Sequence, residues 1–335
     1  VADPLGRVLA AGAGPDVTNT VILTLLFISR VVDGLTGGNL TVAQAYITDV
    51  TDAQNRARGL GLIGAAFGLG FIFGPAAGGL LSGWGYAVPA FAAAALSALN
   101  LAAVAVFLPE SLTPEARARL AQQPRRRVTL AAMWQALNRP RVGPLLHIRF
   151  FFGLAFAIFQ SIFALYAQYK LGLDARATGF VLTYVGVLSA VVQGGLIGVI
   201  TRRFRDSQII MAGVSLMAAA LLGWAVTPNL GVLLVVMIPL ALAGGTLNTV
   251  LSSALTKAVY PEEVGGTLGL AASVESLTRV LAPTAGGLLL GQLGAWAPGV
   301  FGALLMVWVV SFTWRRIVIN PDPPLPARAA ASAAD

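Results

Sequence analysis

Long apolar runs dominate the chain, and they constrain its fold more than any other feature of the sequence. Each run has about 20 or more mostly apolar residues, the length that an α-helix needs to cross a membrane. The predicted membrane-spanning helices cover residues 21–48, 59–82, 88–108, 144–169, 178–200, 208–226, 230–259, 265–293 and 298–318. The predicted fold class is therefore all-α, a polytopic membrane helical bundle of about nine helices.

Composition excludes several other classes of protein. Hydrophobic residues make up 57% of the 335 residues, charged residues only 11%, and the mean hydropathy is +0.79. Soluble domains carry about 25% charged residues, so this composition excludes a water-soluble globular protein. The chain has no Cys and one His, His147, so disulfides, thiol catalysis and Cys- or His-based metal clusters are excluded. Without a nucleotide-binding loop or a paired nucleophile and base, we expect neither an enzyme nor a cofactor.

The basic residues lie mostly in loops on one side of the predicted helices. That side carries arginines around residues 56–58, 117–141, 202–205 and 315–316, whereas the other side has only Lys170 and Arg176. Short cytoplasmic loops are enriched in Lys and Arg. We therefore expect a multi-pass protein of the cell inner (plasma) membrane with a cytoplasmic C-terminus, and we ascribe the net charge of +8 to the lipid surface and not to nucleic acid.

A polar stretch divides the chain. Residues 109–143 contain three consecutive arginines, and we predict a cytoplasmic linker there, with either an interfacial amphipathic helix or a solvated loop. The predicted domains are then residues 1–108, the remnant of an N-terminal bundle, and residues 144–319, a six-helix bundle. Residues 320–335 are rich in Pro and Ala and form a predicted disordered tail.

An internal repeat relates the two parts. Pro75 and Pro283 lie 208 residues apart, and the same offset relates the Gly-Gly-Leu-Leu run at 78–81 to the one at 286–289. Membrane transporters are often built from two such halves, with the substrate site at their interface. The repeat therefore indicates a transporter.

Glycines follow a helical spacing before and after the first of these prolines. Gly70, Gly74 and Gly78 recur every fourth residue, so they line one helix face that another backbone can approach closely. Pro75 allows a bend at that point, and Gly79 follows. The pattern predicts a tight, kinked packing seam, or else an ordinary small-residue helix contact.

Three groups of charged residues are candidates for function. Arg30 and Asp33 lie three residues apart on one predicted helix face, where a lone ion would cost at least about 2.5–3.5 kcal/mol. One interpretation is a structural ion pair that orients this helix. Glu275 and Arg279 have the favourable i, i+4 order, and we consider either a gate that closes the cavity from inside or a static pair. The third group forms either an interbundle latch or a solvated loop, and its members are Asp49, Arg56 and Arg58.

Polar and aromatic residues inside the apolar runs are candidates for a substrate cavity. The polar candidates are Asn39, Gln44, Tyr46, Gln160, Gln193 and Asn248. Single amides of this kind also serve as hydrogen bonds between helices, and that alternative stays open. Several Phe residues between 150 and 163 give one helix an aromatic surface that faces either a cavity or lipid.

The motifs resemble those of a known family. The run G-F-I-F-G-P-A-A-G-G at residues 70–79 resembles the antiporter signature on helix five of proton-coupled drug exporters in the major facilitator superfamily. Residues 29–39, 44–52 and 55–59 resemble helix four and the following loop of its tetracycline-resistance-like branch, and residues 108–111 resemble the exit from helix six. The resemblance implies the major facilitator fold of two pseudo-symmetric bundles, with this chain N-terminally truncated and holding helices four to twelve.

The resemblance also implies a function. Members of this branch export small lipophilic or cationic drugs, such as tetracycline-like compounds, by proton antiport with alternating access, which is a route to antibiotic resistance. Arg30 and Asp33 would then serve proton coupling, the energy source would be the proton gradient, and the partners would be a small-molecule substrate, protons and the lipid bilayer, with the chain a monomer. Two alternatives are a sugar or organic-acid symporter or facilitator, and a truncated membrane protein that does not transport.

Overall fold

The structure, a computed structural model, describes residues 15–36, 42–43, 46–47, 50–51, 56–85, 87–111, 137–260 and 263–319. Over these residues the regular structure is helical, without a strand. The chain divides into two compact units, Val1–Arg125 and Arg126–Asp335. The division falls inside the predicted linker, whose residues 112–136 lie outside the described ranges, so the linker and the domain bounds stay predictions.

The N-terminal unit contributes three long helices: α1 (Pro15–Thr36), α2 (Arg56–Leu81) and α3 (Ala87–Phe107). Helix α1 begins six residues before the predicted start at residue 21. Pro15 at its first position explains the difference, because the N–H that proline lacks would have no partner there in any case. The second half of the predicted span 21–48 lies mostly outside the described residues.

The C-terminal unit contains six further helices. They are α4 (Val142–Leu171), α5 (Ala175–Arg203), α6 (Asp206–Val226), α7 (Leu230–Lys257), α8 (Val264–Leu293) and α9 (Ala297–Ile319). The connections between them are two to six residues long, so consecutive helices run antiparallel. The starts of α4, α6 and α8 therefore share one end of the unit with the finishes of α5, α7 and α9. We call it the arginine-rich end, because it carries Arg202, Arg203, Arg205, Arg315 and Arg316.

Six helices of the described chain are long and apolar enough to cross a membrane. These helices are α3, α4, α5, α6, α7 and α9. Together with the helical backbone of the whole described chain, they confirm the predicted all-α membrane bundle.

Aromatic side chains of α4 fill the core of the C-terminal unit. Phe152, Phe159 and Phe163 are at most 5% exposed, and the Phe159 ring meets Trp224 of α6 edge-on, with ring centroids 5.0 Å apart. The expectation that these three rings face a cavity or lipid is wrong. Apolar residues lie on all sides of helix α4 and its polar residues are few, so its sequence does not indicate which face packs inward.

Two adjacent glycines let α7 approach α4 and α5 closely. A Cβ atom on Gly244 would lie 3.2 Å from the Phe156 ring of α4, and one on Gly245 would lie 3.2 Å from Val192 of α5. Val192 opens a π-helical segment, Val192–Leu196, in the middle of α5. Segments of this type occur frequently at functional sites, and this one contains Gln193, a predicted cavity residue.

Side-chain caps fix two helix starts at the end opposite the arginines. Asp174 accepts a hydrogen bond from the Ala177 backbone N–H at 2.7 Å, and Asn229 accepts one from the Val232 N–H at 3.0 Å. The carboxylate oxygen of Asp174 and the amide oxygen of Asn229 each accept from a backbone N–H that a helix start otherwise leaves unpaired.

We predict that Asn229→Ala lowers the free energy of unfolding by about 1 kcal/mol, because it removes this cap from α7. Asn229→Asp, which keeps an acceptor oxygen, should remain near wild type. Thermal unfolding of the detergent-solubilised chain measures both variants. Equal melting temperatures for Asn229→Ala and wild type would show that the cap contributes nothing.

Candidate functional site

A cluster of charged side chains lies inside the C-terminal unit. One guanidinium nitrogen of Arg149 on α4 donates to the hydroxyl of Ser252 on α7 at 2.9 Å, and the other donates to the carboxylate of Glu275 on α8 at 2.9 Å. Arg279, one turn further along α8, donates to the second oxygen of Glu275 at 2.7 Å. These four residues, the Arg149 cluster, join three helices.

The members of the Arg149 cluster differ sharply in exposure. The side chain of Arg149 is 12% exposed, that of Glu275 33% and that of Arg279 73%. The Nε atom of Arg149 is buried, and no described residue forms a hydrogen bond with it. Arg149 is thus the enclosed member of the cluster, and its charge depends on Glu275 for compensation.

The Arg149 cluster reaches well into the bundle. At 1.5 Å per residue, Arg149 lies about 10 Å from the start of α4, and Arg279 lies near the midpoint of α8, about 22 Å from its start. Ionised side chains at such depth are costly in lipid and usually pair, or face a water-filled cavity. The cluster is therefore the strongest candidate for a functional site in the C-terminal unit.

Chemically, Glu275 is the only carboxylate of the Arg149 cluster and serves two guanidiniums. A proton taken up by Glu275 would remove the charge that holds Arg149 to α8 and Arg279 to its own helix. The contact between α4 and α8 would then weaken. The contact between Arg149 and α8 therefore depends on the negative charge of Glu275.

Two ion pairs tie the arginine-rich end together. Arg139, just before α4, contacts both oxygens of Glu263, which precedes α8, at 2.8 Å. Lys257 at the finish of α7 contacts Asp206 at the start of α6 at 2.8 Å. All four side chains are at least 29% exposed, so solvent screens these pairs and they stabilise the unit only modestly.

The opposite end is held by hydrogen bonds to backbone. The Tyr166 hydroxyl of α4 donates to the carbonyl of Trp224 at 2.7 Å, and Lys170 donates to the carbonyl of Ala225 at 2.8 Å. Lys170 therefore donates to a carbonyl in the last turn of α6, where backbone carbonyls have no helical partner.

Sequence reasoning found part of the Arg149 cluster. The structure contains the predicted i, i+4 pair of Glu275 and Arg279, while a gating role for it stays a prediction. Sequence reasoning missed Arg149 and Ser252. A signal for Arg149 was present, since it is a lone charge inside the predicted span 144–169, and such residues are functional candidates by default.

The predicted cavity residues of the C-terminal unit share one property. Gln160, Gln193 and Asn248 are all exposed on this unit, and their side chains make no hydrogen bond within the described ranges. The Asn248 carbonyl accepts a bond from Ser252, which links this position to the Arg149 cluster. Their role in a cavity stays a prediction.

For most candidate functional residues of the N-terminal unit, the structure does not describe the side chain. Arg30 and Asp33 fall in α1, and Arg56 and Arg58 begin α2, but their side chains lie outside the described part of the structure. Tyr46 is half-buried. The residues wholly outside the described ranges are Asn39, Gln44 and Asp49.

The glycine-rich run lies on α2, with Pro75 inside the helix as predicted. Gly79 is buried, whereas a Cβ atom on Gly70, Gly74 or Gly78 would meet nothing within 4 Å in the described part of the chain. The described part of the chain places no packing partner against this face, and the packing seam stays a prediction.

Apolar helices of spanning length define a polytopic membrane protein, and a charged cluster deep within one of its units is typical of a transporter. The sequence model of the Major Facilitator Superfamily matches residues 5–249 and 196–334. The chain therefore belongs to the Major Facilitator Superfamily, whose members are membrane transporters and not enzymes.

Individual relatives agree with this assignment. The chain is 32% identical to solute carrier family 22 member 18 of Mus musculus over 296 residues, which are 87% of this chain and 72% of that protein. It is also 32% identical to the class C tetracycline resistance protein of Escherichia coli over 272 residues, 79% of this chain and 66% of that protein. The resemblance to tetracycline-resistance proteins is thus confirmed.

A solved structure shows the same fold. The human organic anion transporter MFSD10 (TETRAN) superposes with a TM-score of 0.60 over 93% of this chain and 74% of that chain, at 20% sequence identity. At this identity the comparison concerns the fold alone, and it supports the predicted major facilitator architecture.

Proposed function

We propose that this chain exports small lipophilic drugs in exchange for protons, by alternating access between two bundles. The observation that carries the proposal is the 32% identity with a tetracycline resistance protein across 79% of the chain. The run that includes Gly74 and Pro75, which resembles the antiporter signature, lies in helix α2 and supports the proposal.

The exposure of Arg279 supports a water-filled pathway along α8. A guanidinium that is 73% exposed at the midpoint of a 30-residue helix would be costly against lipid tails. The same cost disappears where the helix faces water. We infer that this face of α8 borders the pathway, and that its positive charge favours lipophilic substrates that carry oxygen acceptors.

Glu275 supports proton coupling. It is the one carboxylate of the Arg149 cluster. One of its oxygens links α8 to α4 through Arg149, and the other contacts Arg279 of α8 itself. Proton binding there would release this contact, which gives a physical route from a proton to a change between inward-open and outward-open states. Arg30 and Asp33 of α1 are the corresponding candidates in the N-terminal unit.

The proposed setting follows from the charge pattern. In the described C-terminal unit, arginines gather at the helix ends and turns of one end. We propose that this end and the C-terminus are cytoplasmic in the inner (plasma) membrane. The proton gradient supplies the energy, without a bound cofactor, and the working unit is a monomer.

Transport in inverted membrane vesicles tests the proposal. Vesicles with an acidic lumen should accumulate tetracycline while lumenal protons leave, because the cytoplasmic face points outward. Radiolabelled drug and a lumenal pH dye measure both fluxes. Collapse of the pH gradient with nigericin should abolish accumulation. Drug and protons that move in the same direction, or the absence of any protein-dependent flux, would contradict antiport.

Variants that each remove one charge test which residues couple transport to protons. Arg30→Ala and Glu275→Gln should each reduce proton-driven uptake to the level of vesicles without the protein, while the amount of membrane-inserted chain stays unchanged. Arg176→Ala removes an arginine from the opposite end and serves as the matched control. If Arg30→Ala transports like wild type, Arg30 has no part in the mechanism.

A further inference from the structure

Five exposed arginines gather at the arginine-rich end. Arg202, Arg203 and Arg205 surround the turn between α5 and α6, and Arg315 and Arg316 lie in the last turn of α9. Helix α6 packs along α9, and the last turn of α9 contacts α6. The start of α6 and the finish of α9 therefore place the two groups of arginines at adjacent helix ends.

Within the described part of the chain, no acidic side chain compensates the charge of these arginines. None of the five forms an ion pair in the described part of the chain. Asp206, the acid next to them in sequence, already pairs with Lys257 at 2.8 Å. The group thus presents an excess of positive charge that an external anion can neutralise.

Apolar side chains surround the arginines. Phe204, between the arginines of the α5–α6 turn, is 51% exposed, and Trp314, which precedes Arg315, is 49% exposed. Ile319 ends α9 and is 56% exposed. Exposed aromatic residues beside arginines at the end of a spanning helix are typical of the membrane–water interface. A free anion would use the arginines alone, whereas a phospholipid would use both the charges and the apolar surface.

We propose that this end of α5, α6 and α9 binds the headgroup of an anionic phospholipid. Its phosphate would accept hydrogen bonds from the guanidiniums, for which bidentate contacts are favourable. The glycerol and upper acyl chains would contact Phe204 and Trp314. A preference for Lys and Arg in cytoplasmic loops sets orientation and requires neither the clustering nor the aromatic neighbours. The proposal is independent of what the protein transports.

Lipid binding to the purified full chain tests the proposal. Fluorescent short-chain phosphatidylglycerol, titrated into the detergent-solubilised protein, should bind more tightly than the matching phosphatidylcholine, and added salt should weaken binding. Inorganic phosphate at the same concentration should not displace the lipid. Equal affinity for the two lipids would overturn the proposal, and so would displacement by inorganic phosphate, which would show a site for a free anion.

Substitutions of single arginines test where the phospholipid binds. Arg316→Gln should weaken phosphatidylglycerol binding about fivefold, the usual contribution of one basic residue near an anionic surface, and a second substitution, Arg202→Gln, should weaken it about fivefold again. Arg176→Gln at the opposite end changes the same charge and should leave affinity unchanged. All three side chains are exposed, so folding is preserved. Equal losses for Arg316→Gln and Arg176→Gln would overturn the site, because the net charge alone would then explain binding.

Discussion

Arg149→Met is expected to lower the free energy of unfolding by about 2–3 kcal/mol. The substitution removes the enclosed guanidinium of the Arg149 cluster, breaks its contacts with Ser252 and Glu275, and leaves the carboxylate with one partner. Breaking a fully buried ion pair costs about 3–5 kcal/mol. The cost here is smaller because Glu275 is 33% exposed and retains Arg279.

The sequence provides a matched control for this prediction. Arg279→Met removes an arginine from the same carboxylate, but Arg279 is 73% exposed, whereas Arg149 is 12% exposed. Exposed pairs contribute about 0–1 kcal/mol. Thermal unfolding in detergent should therefore separate the two variants clearly. If they destabilise the chain equally, burial of Arg149 has no energetic consequence and the cluster is a surface network.

A double substitution separates two contributions to the loss of stability, the missing Arg149 contacts and the cost of a carboxylate that has lost its partner. In Arg149→Met combined with Glu275→Leu, the remaining carboxylate is gone, and apolar side chains replace the ion pair. Such replacements are often neutral or stabilising. We expect the double variant to be more stable than Arg149→Met alone, yet inactive in proton-driven transport. Recovered transport would remove the Arg149 cluster from the coupling mechanism.

Sequence reasoning reaches the fold because each apolar run ends at a physical boundary. The predicted spans 208–226 and 265–293 differ by at most two residues from Asp206–Val226 and Val264–Leu293. Arg205, with an extended backbone, precedes α6, and Gly294, with a φ of 100° that favours glycine, follows α8. Helix existence follows from local hydrophobicity and is therefore predictable.

The site is less predictable because its contacts join distant parts of the chain. The spacing of Glu275 and Arg279 on one helix predicts their pair. The partners of Arg149, in contrast, lie 103 and 126 residues away in sequence. Neither spacing nor hydropathy indicates which face of α4 turns toward α7 and α8. The position of Arg149 in an apolar run gives the residue as a candidate, but not its partners.

The internal repeat is a second case in which the sequence does not predict the contacts of a residue. Gly286 of α8 corresponds by offset to Gly78 of α2. In the C-terminal unit this position is a close contact, because a Cβ atom on Gly286 would collide with Ile162 of α4 and lie 3.3 Å from Ile158. At Gly78 the described chain offers no atom within 4 Å. Sequence equivalence predicts the glycine but not the atoms it meets.

Gly286→Ala is expected to lower the free energy of unfolding by about 2 kcal/mol. The added methyl group overlaps the middle of the Ile162 side chain, where α4 and α8 pack, and overpacked cores lose about 1–3 kcal/mol. Ile162 is 3% exposed and lies among other core residues, so it has little room to move away. The melting temperature in detergent should fall accordingly.

The adjacent glycine is expected to respond with the opposite sign. Gly287 lies on the same helix, is exposed, and a Cβ atom there would meet nothing within 4 Å in the described part of the chain. Gly287→Ala should therefore raise stability by up to about 1 kcal/mol, the gain in helix propensity over glycine. Opposite shifts from neighbouring positions would isolate the packing of α4 against α8 from helix propensity. If both variants stabilise the chain, the close contact at Gly286 is not present in the folded protein.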